Sequence, residues 1–119
     1  MPEKSYGRHE RVAAAIRREA AVLLQQEIKD PRLEGATVTQ VEVSTDLRSA
    51  RIYVSFLQDE PQFREQAEAG LKSITGFMRS ALAARLKLRY MPELTLRYDT
   101  LVGDSMRLDQ LISKGLNRQ

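Results

Sequence analysis

Apolar positions recur along this chain with two periods, and the switches between them divide it into elements. Over residues 6–29, Val12, Ile16, Leu23, Leu24 and Ile28 follow at helical spacing and predict one long amphipathic helix. Asp30-Pro31 ends it, because the residue before a proline is pushed out of the α region, and Gly35 then marks a turn. Residues 37–44 alternate, with Val41 and Val43 set against Gln40 and Glu42. Residues 49–56 alternate more cleanly, with Ala50, Ile52, Val54 and Phe56 on one face and Arg51, Tyr53 and Ser55 on the other. The connection Thr45-Asp46-Leu47-Arg48 is short enough for an antiparallel hairpin.

The helical period returns at Pro61, which suits a first helical turn. Phe63, Ala67, Leu71 and Ile74 form the apolar face of a helix predicted to end near Thr75. Gly76 costs ~1 kcal/mol against Ala inside a helix, and with Ser73 and Thr75 beside it the sequence predicts a break there. A third helix is expected over residues 77–88, with Phe77, Ala81, Ala84 and Leu88 at helical spacing and Met78 and Leu82 alongside. Met91-Pro92 stops it, and Leu94, Leu96 and Tyr98 alternate as a third strand. The two helices make a crossover long enough for parallel pairing of the second and third strands. Residues 104–113 read as a short tail helix. The order α-β-β-α-α-β therefore predicts a two-layer α+β domain with a mixed three-stranded sheet.

Composition narrows the class. At 119 residues the chain is expected to form one domain, with short tails at residues 1–5 and 100–119, able to bury a core without disulfides or a metal. There is no Cys, which excludes thiolate chemistry and suits a reducing cytoplasm. The polar first residues lack the apolar core of a signal peptide, and no apolar run approaches the ~20 residues of a membrane helix. A cytoplasmic protein with no membrane partner is expected. Catalysis has little support: His9 is the only histidine, and Asp99 and Asp104 around Gly103 read as capping acids. No catalytic residue, metal ligand or cofactor is expected.

Charge changes the picture more than composition does. Residues 57–69 hold Asp59, Glu60, Glu65 and Glu68 against Arg64, a local net of −3, whereas residues 72–97 hold six cations against Glu93 alone, a local net of +5. Such polarity suits a molecule that meets a polyanion on one side only. A bend at Gly76 would free backbone N–H groups at a helix start, where the macrodipole also favours an anion. Ser73, Thr75 and Gly76 at the bend, with Lys72, Arg79, Arg85, Lys87 and Arg89 around it, predict a notch for phosphates and so for RNA. Arg8, Arg11 and Arg18 on the first helix would add a flanking contact. The few aromatics, Tyr53, Tyr90 and Tyr98 among them, argue against a stacking platform and for shape and phosphate recognition. A second reading is a protein-interaction module, in which the acidic helix or the tail docks a partner and the basic face is only solvated. Asp30-Pro31-Arg32-Leu33 reads as a helix terminator in which Arg32 pairs locally.

An αββ unit followed by helix–helix–strand is the order of a type II KH domain, a reader of single-stranded RNA. The chain lacks the Gly-x-x-Gly of a standard KH domain and resembles instead the bacterial ribosome-binding factor A family. The resemblance lies in Arg11-Val12 with Glu19, in residues 27–33, in Asp46-Leu47 through Leu57, and in Gly76-Phe77-Met78-Arg79 through Leu88-Arg89-Tyr90-Met91-Pro92-Glu93-Leu94 to Tyr98-Asp99 and Met106-Arg107. It covers nearly the whole chain in order. Ile74 stands where the family usually has Ala, and Leu101 and Ser105 stand where Ser and Gly are usual. The resemblance implies a KH-like domain with a small-residue-x-Gly kink. It also implies a monomeric assembly factor that binds free or immature 30S ribosomal subunits. Such a factor assists 16S rRNA processing without catalysis and matters for growth in the cold.

Overall fold

The computed structural model describes residues 7–58 and 60–100. The expected N-terminal tail, the C-terminal tail beyond Thr100, the helix over residues 104–113 and the departures at Leu101 and Ser105 lie outside the described residues. Thr100, at the expected start of the C-terminal tail, belongs to a strand. Within them the chain runs α1 (Arg8–Gln26), a 3-10 turn (Pro31–Leu33), β1 (Thr37–Val43), β2 (Ser49–Phe56), α2 (Pro61–Leu86) and β3 (Glu93–Thr100). The sheet has the order β1-β2-β3, with β1 antiparallel and β3 parallel to the central β2. This is the mixed three-stranded sheet that the sequence predicts.

Both helices cover one face of that sheet. α1 buries Ile16, Ala20, Leu23 and Leu24, close to the predicted stripe. Opposite it the sheet turns Ala50, Ile52, Val54 and Phe56 inward, joined by Val38, Val43 and Leu94. Phe56 stacks on Tyr98 with ring centroids 5.0 Å apart and meets Phe63 edge-on at 5.5 Å, so one aromatic group links β2, β3 and α2. The Tyr98 hydroxyl donates to the Gln58 carbonyl at 2.6 Å and fixes the start of the crossover.

The expected helix pair is one helix. α2 is a continuous 26-residue α-helix through Gly76, whose φ is not positive. Its buried residues Ala67, Leu71, Ile74, Met78 and Leu82 keep a single phase across the glycine. The predicted stripe of Phe77, Ala81, Ala84 and Leu88 required that phase to rotate, and Phe77 is instead 48% exposed. Apolar burial on both sides of Gly76 outweighs its propensity cost of ~1 kcal/mol. Ser73 and Thr75 do not compete with the helix either. Their hydroxyls donate to the carbonyls of Gly70 (2.8 Å) and Leu71 (2.9 Å), one turn back.

The two glycines of α2 have opposite surroundings. A Cβ on Gly70 would lie 3.1 Å from Leu33 Cδ2 and 3.3 Å from Arg32 Cβ, because the 3-10 turn packs directly on α2 there. A Cβ on Gly76 would meet nothing within 4 Å. Gly76→Ala is therefore expected to raise stability by ~1 kcal/mol and the thermal midpoint by several degrees. Gly70→Ala is expected to show no such gain, and thermal unfolding followed by circular dichroism measures both. An unchanged midpoint for Gly76→Ala would mean that the native backbone at this position disfavours helix.

Candidate nucleic-acid interface

The 3-10 turn accounts for Asp30-Pro31-Arg32-Leu33 as local structure. Asp30 accepts from the Arg32 backbone N–H at 2.9 Å, and its carboxylate pairs with the Arg32 guanidinium, Nη2 to Oδ2 being 2.7 Å. The Arg32 side chain, followed by its backbone N–H, holds the Asp30 carboxyl below the usual carboxylate range. Arg32 Nη2 also donates to Ser73 Oγ at 3.3 Å, so the turn is pinned to α2. The local pairing expected of Arg32 is present.

The predicted cations divide into groups with different commitments. Arg79 is tied down: its Nη2 donates to the Met91 carbonyl at 3.0 Å and its Nε to the Pro92 carbonyl at 3.3 Å. It positions the segment between α2 and β3. Arg85 pairs with Glu19 at 3.0 Å and bridges the two helices, while Arg18 lies 4.0 Å from the same Glu19. Lys72, Ser73, Thr75 and Gly76 sit mid-helix, and Gly76 is about 15 Å along the axis from the end of α2 at 1.5 Å per residue. Inside an α-helix their amides serve i−4 carbonyls. The backbone notch expected at a bend is therefore absent, and the predicted residues do not converge on one point.

A different convergence exists at the end of the molecule where α1 begins and α2 finishes. A groove there lies between the first turn of α1, the β1–β2 turn and the segment leading into β3. Val12, Leu47, Leu88 and Met91 line it together with Arg8, Arg48 and Arg89. A shallower depression shares Arg8, Val12 and Leu88 with it and adds Arg11. Four arginines thus surround the paired grooves against two carboxylates, Asp46 and Glu93. The Ser44 hydroxyl, at 2.6 Å, and the Arg48 backbone N–H keep Asp46 ionised below the usual carboxylate range.

Two backbone features hold this end in shape. Leu47 in the hairpin turn and Lys87 at the C-cap of α2 both have positive φ, 64° and 54°. Such conformations disfavour residues other than Gly and persist where their surroundings hold them. Leu47 packs against the core, and the Lys87 N–H still reaches the Ala83 carbonyl. The Glu93 N–H donates to the Arg48 carbonyl at 2.9 Å, joining the hairpin turn to the start of β3.

Charge is also segregated along α2. Glu60, Glu65 and Glu68 lie in its N-terminal part with Arg64 among them, and Arg79, Arg85 and Lys87 lie toward or at its C-terminal end, beginning about 16 Å further along at 1.5 Å per residue. Arg85 in the last turn complements the helix macrodipole, whereas the first turn holds no acid, so the polarity chiefly divides the surface by sign. Among the described residues no group of His, Cys, Asp or Glu could hold a metal ion, and no helix is long and apolar enough to cross a membrane. The sequence reading missed Arg48 and gave Tyr90 no contact role. Both lie in connections between regular elements, and only the fold brings those connections together.

The sequence model of ribosome-binding factor A matches residues 8–112. The chain is similar to ribosome-binding factor A of Shewanella loihica, with 37% identity over 97% of this chain and 82% of the relative. Its structure is similar to the crystal structure of ribosome-binding factor A from Thermus thermophilus, with a TM-score of 0.66 and 29% identity over 76% of this chain and 93% of that one. It is also similar to a homology model of the Thermus thermophilus protein fitted into a cryo-electron-microscopy map of its complex with the 30S subunit. There the TM-score is 0.59 and the identity 30%, over 70% of this chain and 86% of that one.

Proposed function

The chain belongs to the ribosome-binding factor A family, and from that premise we propose that it is an assembly factor of the small ribosomal subunit. It binds free or immature 30S particles as a monomer in the cytoplasm and assists 16S rRNA maturation by holding RNA, without catalysis. The observation supporting direct RNA contact is the gathering of Arg8, Arg11, Arg48 and Arg89 around one grooved end of the molecule. With Lys87 beside them, these side chains present a cationic surface to ribose-phosphate chain. Arg79 and Arg85 act by positioning the elements that carry it. The 30S subunit, the partner in the relative's complex, fits that surface in sign.

A salt series tests the electrostatic part. If Arg8, Arg48, Lys87 and Arg89 neutralise about four phosphates, log K for RNA falls against log salt with a slope of about −2.8 to −3.6. A slope near zero in filter binding would remove direct phosphate contact from the proposal and favour the alternative, a protein-docking module.

A second reading keeps the predicted face of α2 from Lys72 to Arg79, and the open space over Gly76 favours it, since a nucleic-acid backbone can approach the helix closely there. Lys72→Glu and Gly76→Ala weaken RNA binding under this reading and leave it unchanged if the grooved end alone carries contact.

A further inference from the structure

Tyr90 is a large aromatic side chain that the fold does not bury. It is 76% exposed, although it lies in a short segment fastened on both sides. Arg79 holds the carbonyls of Met91 and Pro92, and the adjoining Pro92 is buried. Upstream, α2 ends at the left-handed Lys87. Downstream, the Glu93 N–H is bonded to the hairpin turn. An aromatic ring held at the surface by such anchoring contributes little to the core. The Arg89 guanidinium lies 5.6 Å from the ring centroid, a cation–π distance, and occupies one side of the ring. Tyr90 lines the same groove as the apolar residues Val12, Leu47, Leu88 and Met91 and as Arg8 and Arg48.

We propose that the Tyr90 ring, backed by Arg89, stacks one unpaired RNA base in this groove while Arg8 and Arg48 hold the flanking phosphates. The inference rests on the RNA-binding reading above and adds a contact type to it. Apolar lining residues beside an exposed π-face suit a nucleobase, and the arginines of the same groove suit the phosphates on either side of it. The occupant is single-stranded, because a base stacked and paired within a duplex offers no free face to a ring. Leu47 and Lys87 hold their left-handed backbones beside the groove, so its walls are formed before the ligand arrives.

The chain contains no Trp, so Tyr90→Trp introduces a sole indole reporter. Titration of this variant with single-stranded hexaadenylate and hexauridylate is expected to quench its fluorescence to saturation. A hexamer duplex at equal phosphate concentration is expected to leave it nearly unchanged. Tyr90→Ala should weaken hexanucleotide binding by roughly 5- to 150-fold, the range of one lost base–aromatic stack. Tyr90→Phe should bind as the parent does, because stacking needs the ring and not the hydroxyl. The circular-dichroism melting curve of each variant should match the parent, as an exposed ring adds little to the core.

Sedimentation with purified 30S subunits separates the two levels of the claim. If the parent protein sediments with 30S but Tyr90→Ala binds hexanucleotides as tightly as the parent, the stacking inference is overturned and the assembly-factor reading stands. If Tyr90→Ala keeps hexanucleotide affinity and loses only 30S sedimentation, the ring docks a ribosomal protein and the inference is again overturned. Failure of the parent itself to sediment with 30S would remove the functional reading on which the inference rests.

Discussion

Reversing Arg8, Arg48 and Arg89 together to glutamate is expected to lower affinity for single-stranded RNA roughly 100-fold or more at physiological salt. Each phosphate contact contributes through counterion release, at about 0.7 to 0.9 powers of the salt concentration. Three lost contacts at about 0.15 M salt amount to roughly 1.7 to 2.2 decades, and three new negative charges add repulsion. The fold should survive the exchange. All three residues are exposed, and the bond from the Glu93 N–H to Arg48 uses the backbone carbonyl, which every residue type retains. Arg79→Glu is a poor substitute because its guanidinium holds the Met91 and Pro92 carbonyls, so lost binding would be mixed with a displaced segment. Fluorescence anisotropy with a labelled oligonucleotide measures the effect. A loss of less than about threefold, in a variant whose melting curve is unchanged, would move the RNA contact elsewhere on the molecule.

Phe56→Ala is expected to cost ~3–5 kcal/mol of folding stability, a large fraction of the ~5–15 kcal/mol typical of a whole domain. Phe56 is 1% exposed and sits where β2, β3 and α2 meet, stacked on Tyr98 and edge-on to Phe63. Removing the ring deletes transfer free energy and both aromatic contacts, and leaves a cavity bounded by elements of three different segments. Phe56→Leu fills much of that space and is expected to lose considerably less. Urea denaturation decides the matter. The prediction requires the Phe56→Ala midpoint to fall well below that of Phe56→Leu, and equal midpoints would show that the site collapses around the smaller side chain.

The sequence and the structure agree where a short-range pattern decides the outcome. β2 runs over the predicted residues 49–56 because apolar residues alternate along it and its inward face is entirely apolar, although Ser55, predicted on the other face, is buried as well. The turn at Asp30 follows from local chemistry, a proline and a capping carboxylate, whereas α1 ends at Gln26, three residues short of the predicted Lys29 and ahead of the proline's reach. Gly76 misled because propensity is local, while the burial of Leu71, Ile74, Met78 and Leu82 against the sheet is not. The phase of those residues was a signal in the sequence against a bend. Arg79 and Arg85 are recognisable as cations in any reading of the chain. Their partners, at Met91–Pro92 and at Glu19, are set by how the elements pack, and so their structural commitments were hidden. Arg48 and Tyr90 belong to separate turns that the parallel β2–β3 pairing brings to the same edge.

That parallel pairing has a consequence for biosynthesis. Ser49 lies opposite Glu93, so the central strand receives its second neighbour only after all of α2 has been made. Until then a nascent chain carries a hairpin with one row of unsatisfied amides and carbonyls, the kind of edge that invites pairing with another molecule. Closing so long a connection is slow compared with forming the hairpin. The interval between synthesis of Phe56 and docking of β3 is thus the period in which this chain is most exposed to aggregation, and shortening β3 would prolong it.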